Sequence, residues 1–138
     1  MGVNCDGGLA ELMAISAESL SSGVNLLPKN IDPAFAALSE PLACCLNGQE
    51  QAPVCRDDIV LILGGGPIGA LHALLAEIHN AERVIIAETL PERIRLLKRH
   101  TKASVVDTSR ESLDSVLASE TDGTGADVIL TATPKIPV

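Results

Sequence analysis

Residues 58–69 read D-I-V-L-I-L-G-G-G-P-I-G. Ile59 to Leu63 is an unbroken apolar run without polar alternation, the pattern of a strand buried on both faces. It ends at Gly64 in a turn that holds glycines 64, 65, 66 and 69 and a proline, Pro67, suited to the first turn of a helix. From Pro67 to His79, Ile68, Leu71, Leu74, Leu75 and Ile78 recur at helical spacing. Strand, glycine turn and helix are therefore expected in that order.

The same punctuation continues downstream. Val84 to Ala87 reads as a second apolar strand, and Pro91 to His100 as a basic helix with Ile94, Leu96 and Leu97 on one side. Ser104 to Asp107 is a short third strand, Ser112 to Glu120 a third helix with Leu113, Val116 and Leu117 inward, and Asp127 to Thr131 a fourth strand. Apolar strands alternating with helices imply right-handed parallel crossovers. The expected class is α/β: a partial Rossmann fold, doubly wound and parallel, with about four strands where a dinucleotide fold normally has six. The fourth strand is then an unpaired edge through which copies of the chain are expected to self-associate.

Residues before Asp58 have a different texture. D-G-G-L-A-E-L-M-A-I at 6–15 predicts a turn and a partly alternating strand, N-L-L-P at 25–28 a short extended piece, and Pro33 to about Gln51 a helix interrupted or restarted near Pro41. This stretch holds too few apolar strands for its own core, and the expected boundary falls near Pro53 to Arg56, dividing the chain into 1–55 and 56–138. At 138 residues the whole is one domain's worth of chain.

Composition removes several function classes. A net charge of −8, one Phe, no Trp and no Tyr leave neither the basic groove nor the stacking platforms of a nucleic-acid binder. The same acidity opposes a polybasic membrane contact, and no apolar run approaches the roughly 18 residues of a spanning helix. The start, M-G-V-N-C-D-G-G, has no basic region followed by an apolar one, so no signal peptide is predicted and the cytoplasm is the expected location. Cys5, Cys44, Cys45 and Cys55 form no C-x-x-C pair; Cys44 and Cys45 are expected to pack as small apolar groups on a helix. His72 and His79 lie two helical turns apart, too far for joint metal ligation, and are expected as partly exposed helix residues.

Gly64, Gly66 and Gly69 have the G-x-G-x-x-G spacing, and their placement between strand and helix raises that motif above its high false-positive rate. Gly64 permits the tight turn, Gly66 lets backbone approach a pyrophosphate, and Gly69 allows close helix-to-strand packing. The helix beginning at Pro67 aims its positive end at the phosphates. Glu88 closes the second strand, 19 positions beyond Gly69, where a carboxylate accepts from both hydroxyls of the adenosine ribose and repels a 2′-phosphate. The expected cofactor is NAD rather than NADP; the plainer alternative for Glu88 is a solvated acid at a strand end.

At this point the chain resembles the medium-chain dehydrogenase/reductases, particularly the zinc-dependent alcohol and polyol dehydrogenases of the sorbitol dehydrogenase kind. D-G-G-L-A-E-L at 6–12 looks like the family's D-G-G-F-A-E-Y; L-P at 27–28 and A-A-L-S-E-P-L at 36–42 resemble the approach to its catalytic zinc. D-D-I-V-L-I-L-G-G-G-P-I-G resembles G-D-x-V-L-I-x-G-x-G-P-I-G, E-T-L-P-E-R at 88–93 an acid-then-arginine pattern, and G-A-D-V-I-L at 125–130 the strand beneath the nicotinamide. The resemblance implies that Gly64, Gly66, Pro67, Ile68 and Gly69 line the pyrophosphate, that Glu88 holds the adenosine ribose, that Arg93 lies beside the adenine, and that Thr131 to Thr133 lie near the nicotinamide ribose. Arg93 has an alternative as a solvated helix residue paired with Glu92 or Asp107. The resemblance also makes Glu40 a zinc ligand or its neighbour, against the alternative of an acid in a first helical turn.

The sequence departs from the family where the other zinc ligands, a Cys and a His-Glu pair within a GroES-like catalytic domain, have no counterpart. Residues 1–55 then correspond to a remnant of that domain plus a connecting helix, and 56–138 to a truncated NAD-binding domain. The implied function is the NAD-binding portion of a zinc-dependent oxidoreductase acting on a small-molecule secondary alcohol or polyol. Zinc belongs to the complete parent enzyme, and this chain alone is expected to be inactive and not to hold it. The alternatives are a non-catalytic nucleotide-binding module and a vestigial truncated dehydrogenase.

Overall fold

A computed structural model describes residues 7–134; the readings that touch Cys5, Asp6 and residues 135–138 lie outside the described residues. The chain divides into two compact units, Met1–Ala37 and Leu38–Val138.

In the first unit the structured elements are two short helices. α1, Ala17–Gly23, starts where the Ser16 hydroxyl accepts the Ser19 backbone N–H at 3.2 Å. α2, Pro33–Ala36, starts where Asp32 accepts from the Ala34 N–H at 2.8 Å, with proline in the first turn. The strand expected over 6–15 does not form in its described part. A strand needs a partner ladder for its N–H and C=O groups, and no other strand lies in this unit among the described residues. The serine-rich stretch that becomes α1 carries no apolar stripe, so periodicity did not reveal it.

The second unit begins with α3, Ser39–Gln51. The break expected near Pro41 falls instead at Ala37 and Leu38, between α2 and α3. Pro41 is the third residue of α3, inside the first turn, where a missing N–H removes no intrahelical bond. There follow β1 (Ile59–Leu63), α4 (Pro67–Ile78), β2 (Arg83–Glu88), α5 (Pro91–His100), β3 (Ser104–Asp107), α6 (Leu113–Glu120) and β4 (Val128–Thr131). These reproduce the expected strands and helices to within a residue or so at each end, Ser112 serving as the cap of α6 rather than its first residue.

The four strands form one parallel sheet in the order β3-β2-β1-β4. Leu63 is level with Ala87 on one side and Thr131 on the other, so β1 and β4 end together and β2 runs one residue further, to Glu88. From β1 the chain steps outward through β2 to β3 on one side, then crosses back through α6 to place β4 on the other. This reversal beside β1 opens a crevice above the carboxyl ends of β1 and β4. Among the described residues β3 and β4 form the two edges.

Alternate strand residues serve opposite faces. Val60, Ile62, Val84 and Ile86 pack with Ala73 and Ala76 of α4 and Leu97 of α5. Leu61, Ile85 and Val106 pack with Leu113, Val116 and Leu117 of α6. The sheet is thus buried on both faces, as its uninterrupted apolar strands predict.

The face of α4 differs from the expected one. Gly69, Ala73, Leu75 and Ala76 are buried, whereas Ile68, Leu74 and Ile78 are exposed. Small residues let this helix lie close to the sheet, leaving larger ones outside. Leu96 of α5 is likewise exposed. Cys45 is buried as expected and its thiol donates to the Ile68 carbonyl at 3.8 Å, but Cys44 is exposed and donates to Glu40 Oε1 at 3.4 Å. Among the described residues no helix is long and apolar enough to cross a membrane.

Candidate cofactor site

β1 ends at Leu63 and the chain turns over the carboxyl edge of the sheet. Gly64 makes the turn at φ +101°, its N–H donating to the Ala87 carbonyl at 2.9 Å. A side chain there meets both a left-handed backbone and Thr133, whose Cβ lies 2.9 Å from the place a Cβ would take. At Gly69 the space is filled by the turn itself: a Cβ would stand 1.9 Å from the Gly64 carbonyl oxygen. These two glycines are required by the protein's own packing.

Gly66 is different. It precedes α4 at φ −72° and ψ −173°, extended backbone open to any residue, and the nearest atom to an added Cβ is Arg93 Nη1 at 3.6 Å. Nothing within the chain demands glycine here. Its bare backbone lies on a cleft of about 700 Å³ lined by Gly64, Pro67, Ile68, Glu88, Arg93 and Thr133, among others. α4 opens on the same cleft, with Gly66 at its cap position and Pro67 in its first turn. A helix start whose N–H groups lack intrahelical acceptors, beside backbone stripped of side chain, fits a phosphate-bearing ligand. The cleft thus gathers the residues expected at the cofactor except Thr131, the last residue of β4, and Gly69, which packs against the Gly64 carbonyl. Glu40 is not among the lining residues.

Glu88 is 6% exposed, so the alternative of a solvated strand-end acid does not describe it. Its Oε1 accepts the backbone N–H groups of Thr89 at 2.7 Å and Leu90 at 3.0 Å. Its Oε2 accepts the Gly65 N–H at 3.0 Å and Arg93 Nη1 at 3.4 Å. Burial alone pushes the carboxyl pKa up; the hydrogen bonds from Leu90, Thr89, Arg93 and Gly65 outweigh it, and the net shift is downward. Glu88 is therefore ionised at neutral pH. Arg93 pairs with Glu88 rather than Asp107, which pairs with Arg110 at 3.4 Å.

Among the described residues no comparable seat for a zinc ion is gathered. Glu40, exposed in the first turn of α3, has Cys44 as its side-chain neighbour, and that thiol donates to it. The hydrogen bond to the Glu40 carboxylate and its negative charge raise the Cys44 pKa above the ordinary thiol value. No group of three or more His, Cys, Asp or Glu side chains is gathered among the described residues, and a catalytic zinc needs about three protein ligands. The described residues do not fit this metal.

Two features escaped the sequence reading. Gly65 is buried, and a Cβ there would lie 2.5 Å from Leu97 Cδ1; the tripled glycine, where G-x-G leaves its middle position open, was the available signal. Gln49 of α3, 3% exposed, sends its amide nitrogen to the His72 carbonyl at 2.9 Å and to His72 Nδ1 at 3.2 Å, tying α3 to α4. A polar pair split between two helices leaves no local pattern.

Proteins similar to this chain in sequence and in shape include dehydrogenases. The chain is 32% identical to a sorbitol dehydrogenase of Halalkalibacterium halodurans over 139 residues, covering 99% of this chain and 39% of the relative. It is 32% identical to an L-galactonate-5-dehydrogenase of Escherichia coli over 134 residues, covering 96% and 37%. Among solved structures, a provisionally assigned zinc-binding dehydrogenase of Sinorhizobium meliloti bound to NADP superposes with a TM-score of 0.71 at 32% identity, over 78% of this chain and 32% of that one. An alcohol dehydrogenase of Thermus sp. ATN1 superposes with a TM-score of 0.74 at 25% identity, over 80% and 32%. No family model matches the chain. The chain spans about two fifths of the length of the curated relatives it matches, up to 39%. With sequence likeness along nearly its whole length and a parallel sheet that superposes on these enzymes, the chain is similar to part of the zinc-binding alcohol and polyol dehydrogenases.

Proposed function

We propose that the chain is the NAD-binding portion of a zinc-dependent cytoplasmic oxidoreductase that takes hydride from a secondary alcohol or polyol. In this reading residues 1–55 are a piece of the catalytic domain with its connecting helix, and residues 56–138 the cofactor domain. The observation that carries it is Gly66: glycine where the chain's own packing needs none, its backbone bare on a cleft beside the start of α4 and an ionised Glu88. The relatives named for sorbitol and L-galactonate support a polyhydroxylated substrate class.

NAD, when bound, supplies the hydride acceptor. The work of the chain's own groups is binding and orientation. The Gly64–Gly66 backbone and the first turn of α4 receive the pyrophosphate, Gly69 lets α4 approach, Glu88 accepts from the adenosine ribose, Arg93 flanks the adenine, and Thr133 lies towards the nicotinamide ribose. The charge on Glu88 opposes a 2′-phosphate, so NAD is preferred here, although the Sinorhizobium meliloti neighbour is bound to NADP. Glu40 remains a residue of the zinc approach in the complete enzyme, and no chemical step is assigned to it.

Fluorescence titration tests the reading. NADH is expected to bind at sub-millimolar concentration and NADPH more weakly. NADH binding weaker than millimolar would overturn it in favour of a vestigial chain, and NADPH bound more tightly than NADH would overturn the assignment of Glu88.

A further inference from the structure

We propose that Glu88 is a latch that holds the glycine turn in its phosphate-receiving shape before any cofactor arrives, a positioning role additional to contact with a ribose. The proposal rests on the dinucleotide reading of the cleft and adds to it.

A residue whose whole task is to accept from ribose hydroxyls should present free carboxylate oxygens to the cleft. Glu88 does not. Both oxygens are occupied by the chain, Oε1 by the N–H groups of Thr89 and Leu90 and Oε2 by the Gly65 N–H and Arg93. The Thr89 hydroxyl adds a fifth donor to Oε1 at 3.4 Å; three of the five are backbone, and they come from two separate elements: the middle of the glycine turn and the residues leading into α5. α5 has Leu90 at its cap position with no side-chain cap, so the Glu88 carboxylate takes over that task at the positive end of the helix.

The bond to Gly65 reaches the cradle directly. Gly65 is confined on its other side, since Leu97 Cδ1 stands 2.5 Å from where its Cβ would be and Glu88 Cβ stands at 3.1 Å. Fixing the Gly65 N–H fixes the Gly64–Gly65 peptide, the middle of the turn one residue before Gly66, whose bare backbone lies on the cleft. A buried charge-assisted hydrogen bond of this kind has a strong directional preference. Replacing the carboxylate by an amide leaves one oxygen for Thr89 and Leu90 and turns an NH2 group against the Gly65 N–H, two donors face to face.

The test compares ADP with 2′,3′-dideoxy-ADP, which keeps the phosphates and lacks both ribose hydroxyls, by calorimetry on wild type and Glu88→Gln. The latch predicts that the variant binds the dideoxy nucleotide more weakly on the order of tenfold, as for a lost hydrogen bond to a charged group. Dideoxy-ADP affinity unchanged within error, with loss confined to ADP, overturns the latch and leaves Glu88 a ribose acceptor alone. Val106→Ala, which weakens the core on the far face of the sheet, should leave dideoxy-ADP binding intact; an equal loss there would reduce the Glu88 effect to general destabilisation and also overturn the proposal.

If Glu88→Gln does not fold, the wild-type chain answers by NMR without ligand. The Gly65 amide resonance should move as the pH is lowered through the titration of Glu88; a resonance that stays in place while the Thr89 and Leu90 amides move overturns the latch. Failure of the dinucleotide reading itself looks different, because the wild type then binds neither nucleotide while the Gly65 titration still judges the latch.

Discussion

The two units of the chain carry apolar side chains of the same kinds and use them in opposite ways. In the first, Leu9, Leu12 and Leu26 are 105%, 91% and 97% exposed, and neither of its helices buries a residue. In the second, Val60, Ile62, Ile85 and Ile86 are 0% exposed. The difference is arrangement. Ile59–Leu63 and Arg83–Glu88 bring runs of apolar residues into register, so each strand satisfies its neighbour's backbone while both faces are covered. Leu12 and Leu26 have no strand to pair with in their own unit among the described residues, and exposed leucines add nothing to a core.

The largest expected effect sharpens this contrast. Ile62→Ala should lower the unfolding free energy by about 4 kcal/mol, the range for deleting a fully buried branched side chain without local collapse. Leu26→Ala should change it by less than about 0.5 kcal/mol. Chemical denaturation measures both, and comparable losses at the two positions would break the contrast.

The next effect lies within the glycine turn, where one spacing motif hides two kinds of glycine. Gly69→Ala places a methyl group 1.9 Å from a backbone oxygen that no rotamer change can move. A loss of about 3 kcal/mol is expected, at the upper end for overpacking. Gly66→Ala meets nothing nearer than Arg93 Nη1 at 3.6 Å and should leave the unfolding midpoint within a degree or two of wild type, since surface changes without strain are close to neutral. Its effect should instead be on NADH affinity, weakened about tenfold or more as the methyl group enters the phosphate position. A Gly66→Ala chain that binds NADH like wild type would show that the cleft is not read from this side.

These contrasts mark how far the sequence could be read. Elements with their own period were legible: each strand and long helix from Ile59 to Thr131 is where its apolar pattern puts it, because that pattern is the cause of its burial. Boundaries set by local chemistry were partly legible, as with Pro41, which signals a break but is compatible with a helical first turn. The buried face of α4 was misread because close packing selects Ala73 and Ala76 over Leu74 and Ile78, and a hydrophobicity count favours the larger residues. Glu88 was legible as an acid at the right place, while its engagement by Gly65, Thr89 and Leu90 depends on backbone directions that no spacing records. The bond between Gln49 and His72 joins positions 23 residues apart and left no trace in sequence.

That bond gives the smallest expected effect, and it concerns α3, the helix that the sequence reading left outside the cofactor domain and that packs here within the second unit. The Gln49 amide donates towards His72 Nδ1 at 3.2 Å, so that ring nitrogen must be the unprotonated acceptor, with hydrogen on Nε2. Burial lowers the His72 pKa below its ordinary value, in keeping with this geometry. Because the unfolded chain then takes up a proton at higher pH than the folded one, stability contributed by neutral His72 is present above the ordinary histidine pKa of about 6.5 and is lost as the pH falls below it. Protonation also sets Nδ1–H against the Gln49 NH2, and an amide flip offers no escape, since it would turn Oε1 onto the His72 carbonyl. The unfolding free energy of wild type should therefore decline between pH 7 and pH 5 more steeply than that of His72→Leu, which has no ring to protonate and keeps the backbone carbonyl for Gln49. Equal slopes for the two proteins would mean that the α3–α4 contact is indifferent to the charge on His72.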